Sequence, residues 1–368
     1  MSTTERSAGR WSDLPDELVG MVRSKIASLG DRVRFLAVCK SWRAAASRQP
    51  APPAAPLLLL SLWAGLEKKH MCGPDGSWVF RVPSKADGKR FLGSHDGGWV
   101  VVFDSHVLTL VNLFSGVEHP TSSNGCILAA IVENWSQVAL CRLGCSEGKW
   151  TTYGRHEWTA GWRRKVIFDI AFCNGELYGL MGNEGEGESE LLVRFEIGAK
   201  KDGTPVIITN HELPIQRPSS TNSSLPYARY IFELHGKPWM AVMTRWLPNR
   251  EPFFRVFKLV DADTDEVCEA EVTSFDDYAL FLGTRWSKAV HVPMGVGHHS
   301  PERNHIYYST YSPENKSSGD EVYSVTSNHG TYIEMCCKKD QSIEDGVDKI
   351  GYCVSARNDA VWLLPPDL

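Results

Sequence analysis

Four prolines within seven residues, Pro50, Pro52, Pro53 and Pro56, divide this chain in two. No helix runs through such a segment, and it makes a stiff spacer. Before it the sequence has helical grammar; after it nearly everything is β. Trp11-Ser-Asp-Leu-Pro-Asp-Glu opens a helix, with Pro15 suited to the first turn and Asp16 and Glu17 matched to the dipole. Leu18, Val22 and Ile26 recur at spacing four, with Met21 and Leu29 widening the stripe. Gly30 is read as the end of that helix and Asp31 as the cap of a second. Val33, Leu36, Ala37, Val38 and Trp42 supply the apolar positions of that helix and of a short third one ending near Ala46. Three helices in about forty residues bury too little surface to be comfortable alone, so the module needs burial elsewhere. A partner can supply it, or the chain's own C-terminal part.

Charge follows the same division. The whole chain of 368 residues has a net charge of −5, yet residues 1–50 hold nine basic and five acidic side chains, leaving −9 for the rest. A small basic module sits beside a larger acidic body, and a chain without an overall basic surplus is a poor candidate for nucleic acid as its main ligand. The start, Met1 to Arg10, is polar and lacks the apolar core of a signal peptide. The longest apolar run, Leu57 to Leu66, is half a membrane span. Ten cysteines follow no framework spacing. The expectation is an intracellular protein of cytoplasm or nucleus, away from membranes, its thiols reduced.

From about residue 90 one theme recurs: a turn, an apolar strand, a second strand, a tight turn and a third strand. Instances start at Gly97-Gly-Trp-Val-Val-Val-Phe, Val138-Ala-Leu-Cys-Arg-Leu, Asn174-Gly-Glu-Leu-Tyr, His235-Gly-Lys-Pro-Trp and Asn304-His-Ile-Tyr-Tyr. Within them Val117 onward, Val322-Tyr-Ser-Val and Gly330 to Met335 are read as further strands. A lone closing strand, Ala360-Val-Trp-Leu-Leu, follows. Repeated meanders without intervening helices are what a β-propeller needs, since radial repetition protects sheet edges. The repeat spacing is irregular, so blades hidden between the visible ones are expected, and a β-sandwich is the alternative. Closure predicts the last strand beside an early strand around Trp78 to Val82.

The pattern Leu14-Pro15-Asp-Glu-Leu18, with Val38-Cys39-Lys-Ser-Trp42 some twenty residues on, resembles an F-box over residues 11–48. The resemblance implies three helices docking on a Skp adaptor and, through it, on a cullin-based ubiquitin ligase. Carried over, Leu14, Pro15, Leu18, Val22, Ile26, Val33, Val38 and Trp42 form the adaptor-facing or supporting surface. Residues 49–56 are the linker. Residues 57–368 resemble the KIB-type domain attached to F-boxes in land plants. That likeness rests on Gly93-Ser-His-Asp-Gly-Gly-Trp-Val, Leu110-Val-Asn-Leu-Phe-Ser-Gly, Ala279-Leu-Phe-Leu-Gly, Asn304-His-Ile-Tyr-Tyr and Val361-Trp-Leu-Leu-Pro. It implies a propeller-like receptor for a protein substrate whose identity the sequence does not name. The family usually has proline where Phe114 stands, which bears on the geometry of that turn.

Sharper chemistry does not survive inspection. Gly144-Cys-Ser146-Glu-Gly148 matches the nucleophile-elbow string, but strand formers follow it where the elbow needs a helix, and no oxyanion loop precedes it. Asp104-Ser-His106 sits on extended chain, where adjacent side chains point apart. Cys141 and Cys145, His298 and His299, and Cys336 and Cys337 lack a second pair at zinc spacing and read as buried thiols or loop residues. The stretch from Gly182 to Glu190 has too many carboxylates for a phosphate cradle and no terminal bidentate acid for calcium, so it reads as a mobile hairpin loop. No catalytic group, metal or cofactor is expected; a propeller hydrolase and a binding module acting without the ligase are the alternatives. The 13 tryptophans fit blade packing, and Trp246, Arg250, Trp286, His298 and His299 are candidates for the face that holds the substrate.

Overall fold

A computed structural model describes residues 11–26, 28–48, 54–62, 68–73, 76–104, 107–118, 126–132, 137–142, 150–154, 165–183, 190–216, 226–244, 253–261, 267–272, 274–283, 286–294, 301–311, 323–326, 332–335, 348–354 and 358–366. The helical part comprises a 3-10 turn, Trp11–Asp13, then α1 (Asp16–Arg23), α2 (Leu29–Ala37) and α3 (Lys40–Ala46). The first helix is shorter than its stripe predicted, and Gly30 lies inside the second. The reason is Ser28, whose hydroxyl accepts the Asp31 N–H (3.3 Å) and caps α2 three residues before Asp31 can. Arg32 Nε then donates to the Ile26 carbonyl (3.0 Å), holding the connection.

The strands follow in chain order. The first sets are β1 (Leu57–Leu62), β2 (Lys68–Gly73) and β3 (Gly76–Arg81); β4 (Arg90–His95), β5 (Trp99–Asp104) and β6 (Val107–Asn112); and β7 (Ile127–Val132), β8 (Gln137–Arg142) and β9 (Thr151–Tyr153). Next come β10 (Lys165–Cys173), β11 (Glu176–Asn183), β12 (Leu191–Ala199) and β13 (Pro205–Gln216), then β14 (Pro226–Leu234), β15 (Lys237–Thr244), β16 (Phe253–Asp261) and β17 (Val267–Val272). The rest are β18 (Tyr278–Leu282), β19 (Lys288–His291), β20 (His305–Tyr311), β21 (Tyr323–Thr326), β22 (Tyr332–Met335), β23 (Asp348–Val354) and β24 (Asn358–Leu363).

They form small, mostly antiparallel sheets of order β24-β1-β2-β3, β4-β5-β6, β7-β8-β9, β10-β11-β12-β13, β14-β15-β16-β17 and β19-β18-β20-β23. A two-residue parallel contact joins β13 to β17, and β20 runs parallel to both β18 and β23. Among the described residues, five of the six neighbouring pairs of sheets meet at strand contacts: β24 on β4, β7 on β10, β10 on β14 and β14 on β19, with β23 returning to β24.

The cores show why this is a ring and not two stacked layers. In the strand-rich part, apolar cores fill the seams between the first and second, third and fourth, fourth and fifth, fifth and sixth, and sixth and first sheets, and successive residues of one strand feed successive seams. On β18, Ala279 and Phe281 join Leu58, Cys72 and Trp362 of the first sheet, while Leu280 and Leu282 join Phe232, Trp239 and Met243 of the fifth. On β15, Met240 and Val242 turn instead to Leu180, Leu192 and Ile215 of the fourth. On β1, Leu58 faces the sixth sheet, and Leu57 and Leu59 face Phe91, Val100 and Val102 of the second. Side chains alternate along a strand, so a strand buried on both faces serves two seams and reads as unbroken apolar sequence. The architecture is an irregular β-propeller.

Several strand expectations need correcting. The closing strand pairs with β1 (Leu59 opposite Val361), not with the strand around Trp78 to Val82, which lies two places further out in the same sheet. The Leu57–Leu62 run, apolar at every position but Ser61, favours the central place that β24 and β2 give it. Among the described residues Val117 begins no strand, because Asn112 turns the chain there and an isolated bridge, Val111 to Glu118, forms; residues 119–125 lie outside the described residues. The strands at Tyr323 and Tyr332 pair with each other, and β20 takes β23 as its neighbour instead. Each unit begins one strand earlier than the sequence theme: β4, β7, β10 and β14 precede the turns that mark it. Those turns carry the left-handed backbone that tight hairpins require, at Asn174 (φ 49°) and Gly175 (φ 84°), and at His235 (φ 54°) and Gly236 (φ 73°).

Candidate functional site

The helical module closes a small core of its own. Val19 on α1, Phe35 on α2 and Ala45 and Ala46 on α3 are buried, and Leu14, Ile26, Leu36 and Trp42 pack against them half-buried. The Phe35 and Trp42 rings lie 4.7 Å apart, and Trp42 Nε1 donates to the Trp11 carbonyl (3.1 Å), fastening the 3-10 turn to α3. Cys39 caps α3, its sulfur accepting the Trp42 N–H (3.5 Å). The hydrogen bond with Ser41, and then the one from Trp42, hold the Cys39 thiol below its usual pKa.

With that core complete, α1 still carries an apolar row turned outward. Leu18, Met21 and Val22 occupy i, i+3 and i+4 and are 44%, 64% and 42% exposed, while Val19 and Arg23 face inward. Pro15 at the start of α1, Val33 on α2 and Val38 beyond it are exposed as well. A helix that buries an arginine and exposes leucine, methionine and valine on one side reverses the usual arrangement, and such a face marks an interaction surface. Between residues 11 and 48 seven basic side chains face four acidic ones, so the surface lies on a positively charged module.

The eight expected surface residues therefore split by role. Pro15, Leu18, Val22, Val33 and Val38 are on the outside; Leu14, Ile26 and Trp42 support them from the core side. Two outward residues are missing from that set. Met21 completes the α1 row, which its spacing from Leu18 signals, and Trp11 is 75% exposed with nothing in its local pattern to announce it.

On the propeller, Trp286 is half-buried against the cluster of Leu58, Phe281 and Trp362, in the segment between β18 and β19. Trp246, Arg250, His298 and His299 lie outside the described residues, as do Ser146, Cys145, Cys336 and Cys337 and the acidic stretch from 184 to 189. Cys141 is a buried thiol. Among the described residues no three His, Cys, Asp or Glu side chains come together as a metal site would need. Phe114, where a proline was expected, packs into the seam beside Phe80 (ring centroids 6.0 Å) and covers Gly98.

One half-buried carboxylate stands out in the propeller. Asp169 sits at a bulge in β10 and accepts N–H bonds from Ile170 in its own strand and Ile231 in β14 (both 2.9 Å). Burial pushes its pKa up to about 7, against the lowering effect of those two amides. In the same seam the buried Arg229 pairs with Glu190 and lies 4.0 Å over the Phe168 ring. Together these groups tie the leading strands of the fourth and fifth sheets.

At its N-terminus the chain is similar to the F-box protein At2g17690 of Arabidopsis thaliana, 46% identical over 39 residues. That stretch is 11% of this chain and 9% of the relative, so the chain matches about a tenth of the length of that relative. The model of the KIB1-4 β-propeller family matches residues 72–333, more than two thirds of the 368. Its range runs from β2 through β22, with β1 before it and β23 and β24 after it. The protein is thus a member of the KIB1-4 β-propeller family.

Proposed function

We propose that this protein is the substrate-recognition subunit of a Skp–cullin–F-box ubiquitin ligase. The observation that carries the reading is the apolar row of Leu18, Met21 and Val22, left outward by a helical module whose core is already filled by Val19, Phe35, Ala45 and Ala46. The likeness of the N-terminus to an F-box protein supports the choice of a Skp adaptor as the partner for that row. The mechanism is bridging. The helices hold the adaptor, the propeller holds a target protein, and the target's lysines stay at high effective concentration near the charged ubiquitin carrier. In this reading the chain supplies position and the rest of the ligase supplies the bond chemistry.

The test is co-purification of the full chain with a plant Skp adaptor, beside a Pro15→Ala/Leu18→Ala variant. The expected result is a stoichiometric complex for the wild type and none for the variant. A variant that co-purifies as well as the wild type refutes the reading.

A further inference from the structure

We infer that Leu29 is a positioning residue, seating the helical module on the seam where the propeller closes. Leu29 is the first residue of α2, and its side chain packs against the cluster that holds Leu57, Leu59, Phe91, Val361 and Leu363. Val361 and Leu363 belong to β24, the strand that returns from the far end of the chain to pair with β1. The seat therefore exists only in a closed ring.

Local detail makes the contact a fixed one. Six residues separate Leu29 from Phe35, so at 3.6 residues per turn they leave α2 on different sides, Phe35 into the module and Leu29 toward the propeller. Ser28, itself buried, caps α2 immediately before Leu29 and fixes the direction in which that side chain leaves. The proline segment also ends buried, at Ala54, Ala55 and Pro56, and so enters β1 as packed chain. The helices and the propeller are then one body, with the α1 row held at a constant angle to the ring. Why a constant angle matters rests on the proposed ligase role, since a wandering receptor dilutes its target near the ubiquitin carrier. The contact itself does not depend on that role.

The experiment compares the full-length wild type with Leu29→Asp and Leu29→Met by hydrogen exchange and small-angle scattering. Aspartate suits the first turn of a helix, so α2 keeps its local preference while the apolar seat receives a charge. The expected result for Leu29→Asp is exchange on the order of tenfold faster in α2 and β1, with a larger maximum dimension. Leu29→Met, which conserves volume and polarity, stays close to wild type. Wild-type exchange and scattering in Leu29→Asp overturn the inference. Should that variant fail to fold, Leu29→Ala decides the matter, and wild-type exchange in its α2 overturns it equally. Adaptor affinity, measured separately, stays at the wild-type value in the Leu29 variants because this side chain packs on the propeller cluster and is not part of the α1 row. If Leu18 variants retain adaptor binding, the ligase role falls and the Leu29 result still stands.

Discussion

Removing Trp362 tests how the ring is held shut. This side chain is 1% exposed on β24, between the first and sixth sheets. Its ring stands edge-on to Phe281 with centroids 5.1 Å apart, and its Nε1 donates to the Leu282 carbonyl at 3.0 Å, a buried bond. Gly283 follows, and a β-carbon there would come within 2.9 Å of the indole, so the strand end is shaped around this residue. Trp362→Phe keeps most of the apolar volume and leaves the Leu282 carbonyl without its donor, a loss of about 1–3 kcal/mol. Trp362→Ala adds a large cavity and should cost about 3–5 kcal/mol. The assay is urea unfolding at 25 °C followed by near-ultraviolet circular dichroism on the full chain. The ordering wild type, phenylalanine, alanine is the signature of a packed and hydrogen-bonded closure. If both variants unfold within about 1 kcal/mol of wild type, β24 does not hold the ring and the reasoning fails.

Two further substitutions probe local claims. Gly98 has φ +84°, and a β-carbon there would overlap the Phe114 ring; Gly175 has the same φ with open space around it. Gly175→Ala should therefore cost about 1 kcal/mol, from backbone strain alone, and Gly98→Ala clearly more; equal losses in urea unfolding would contradict the packing assigned to Phe114. For Asp169 the sign follows from burial. Its carboxyl is raised from 3.8 to about 7, so the folded state holds the proton more tightly than the unfolded one. That stability is complete below pH 4 and is lost as pH rises to 7, a span on the order of 4 kcal/mol. Asp169→Asn should flatten this part of the stability–pH curve, and an unchanged slope between pH 5 and pH 8 would show that another group sets it.

Legibility in the sequence followed a physical line. The helical module was readable because capping residues, Leu14-Pro15 and the apolar spacing are local signals, although Ser28 overrode Asp31 as the cap and shortened α1. The propeller was readable as a class because its tight turns leave glycine-containing marks such as Asn174-Gly175 and His235-Gly236. Its leading strands were missed for the opposite reason. On β10, Ile167 and Ile170 face one seam while Phe168 and Ala171 face the next, so the strand gives no apolar–polar alternation to detect. The pairing of β24 with β1 joins residues some three hundred positions apart, which no local pattern encodes. At the docking site the α1 row was visible as a stripe, but its direction was not. A stripe says that a helix has an apolar side, and only the core of Val19, Phe35, Ala45 and Ala46 shows that the side faces out. Trp42, expected as a contact, packs against Phe35 at a tilt and anchors Trp11, so its removal would injure the module itself.

Leu18 is the cleaner probe, since it is 44% exposed and outside the module's core. The most direct measurement is the calorimetric affinity of the full chain for a Skp adaptor, wild type against Leu18→Ala, with helicity checked for both. The account predicts unchanged helicity and a loss of about 2 kcal/mol or more, close to thirtyfold in Kd. Equal affinities for the two proteins, or no binding by either, would contradict the claim that the outward row on α1 is built to dock an adaptor.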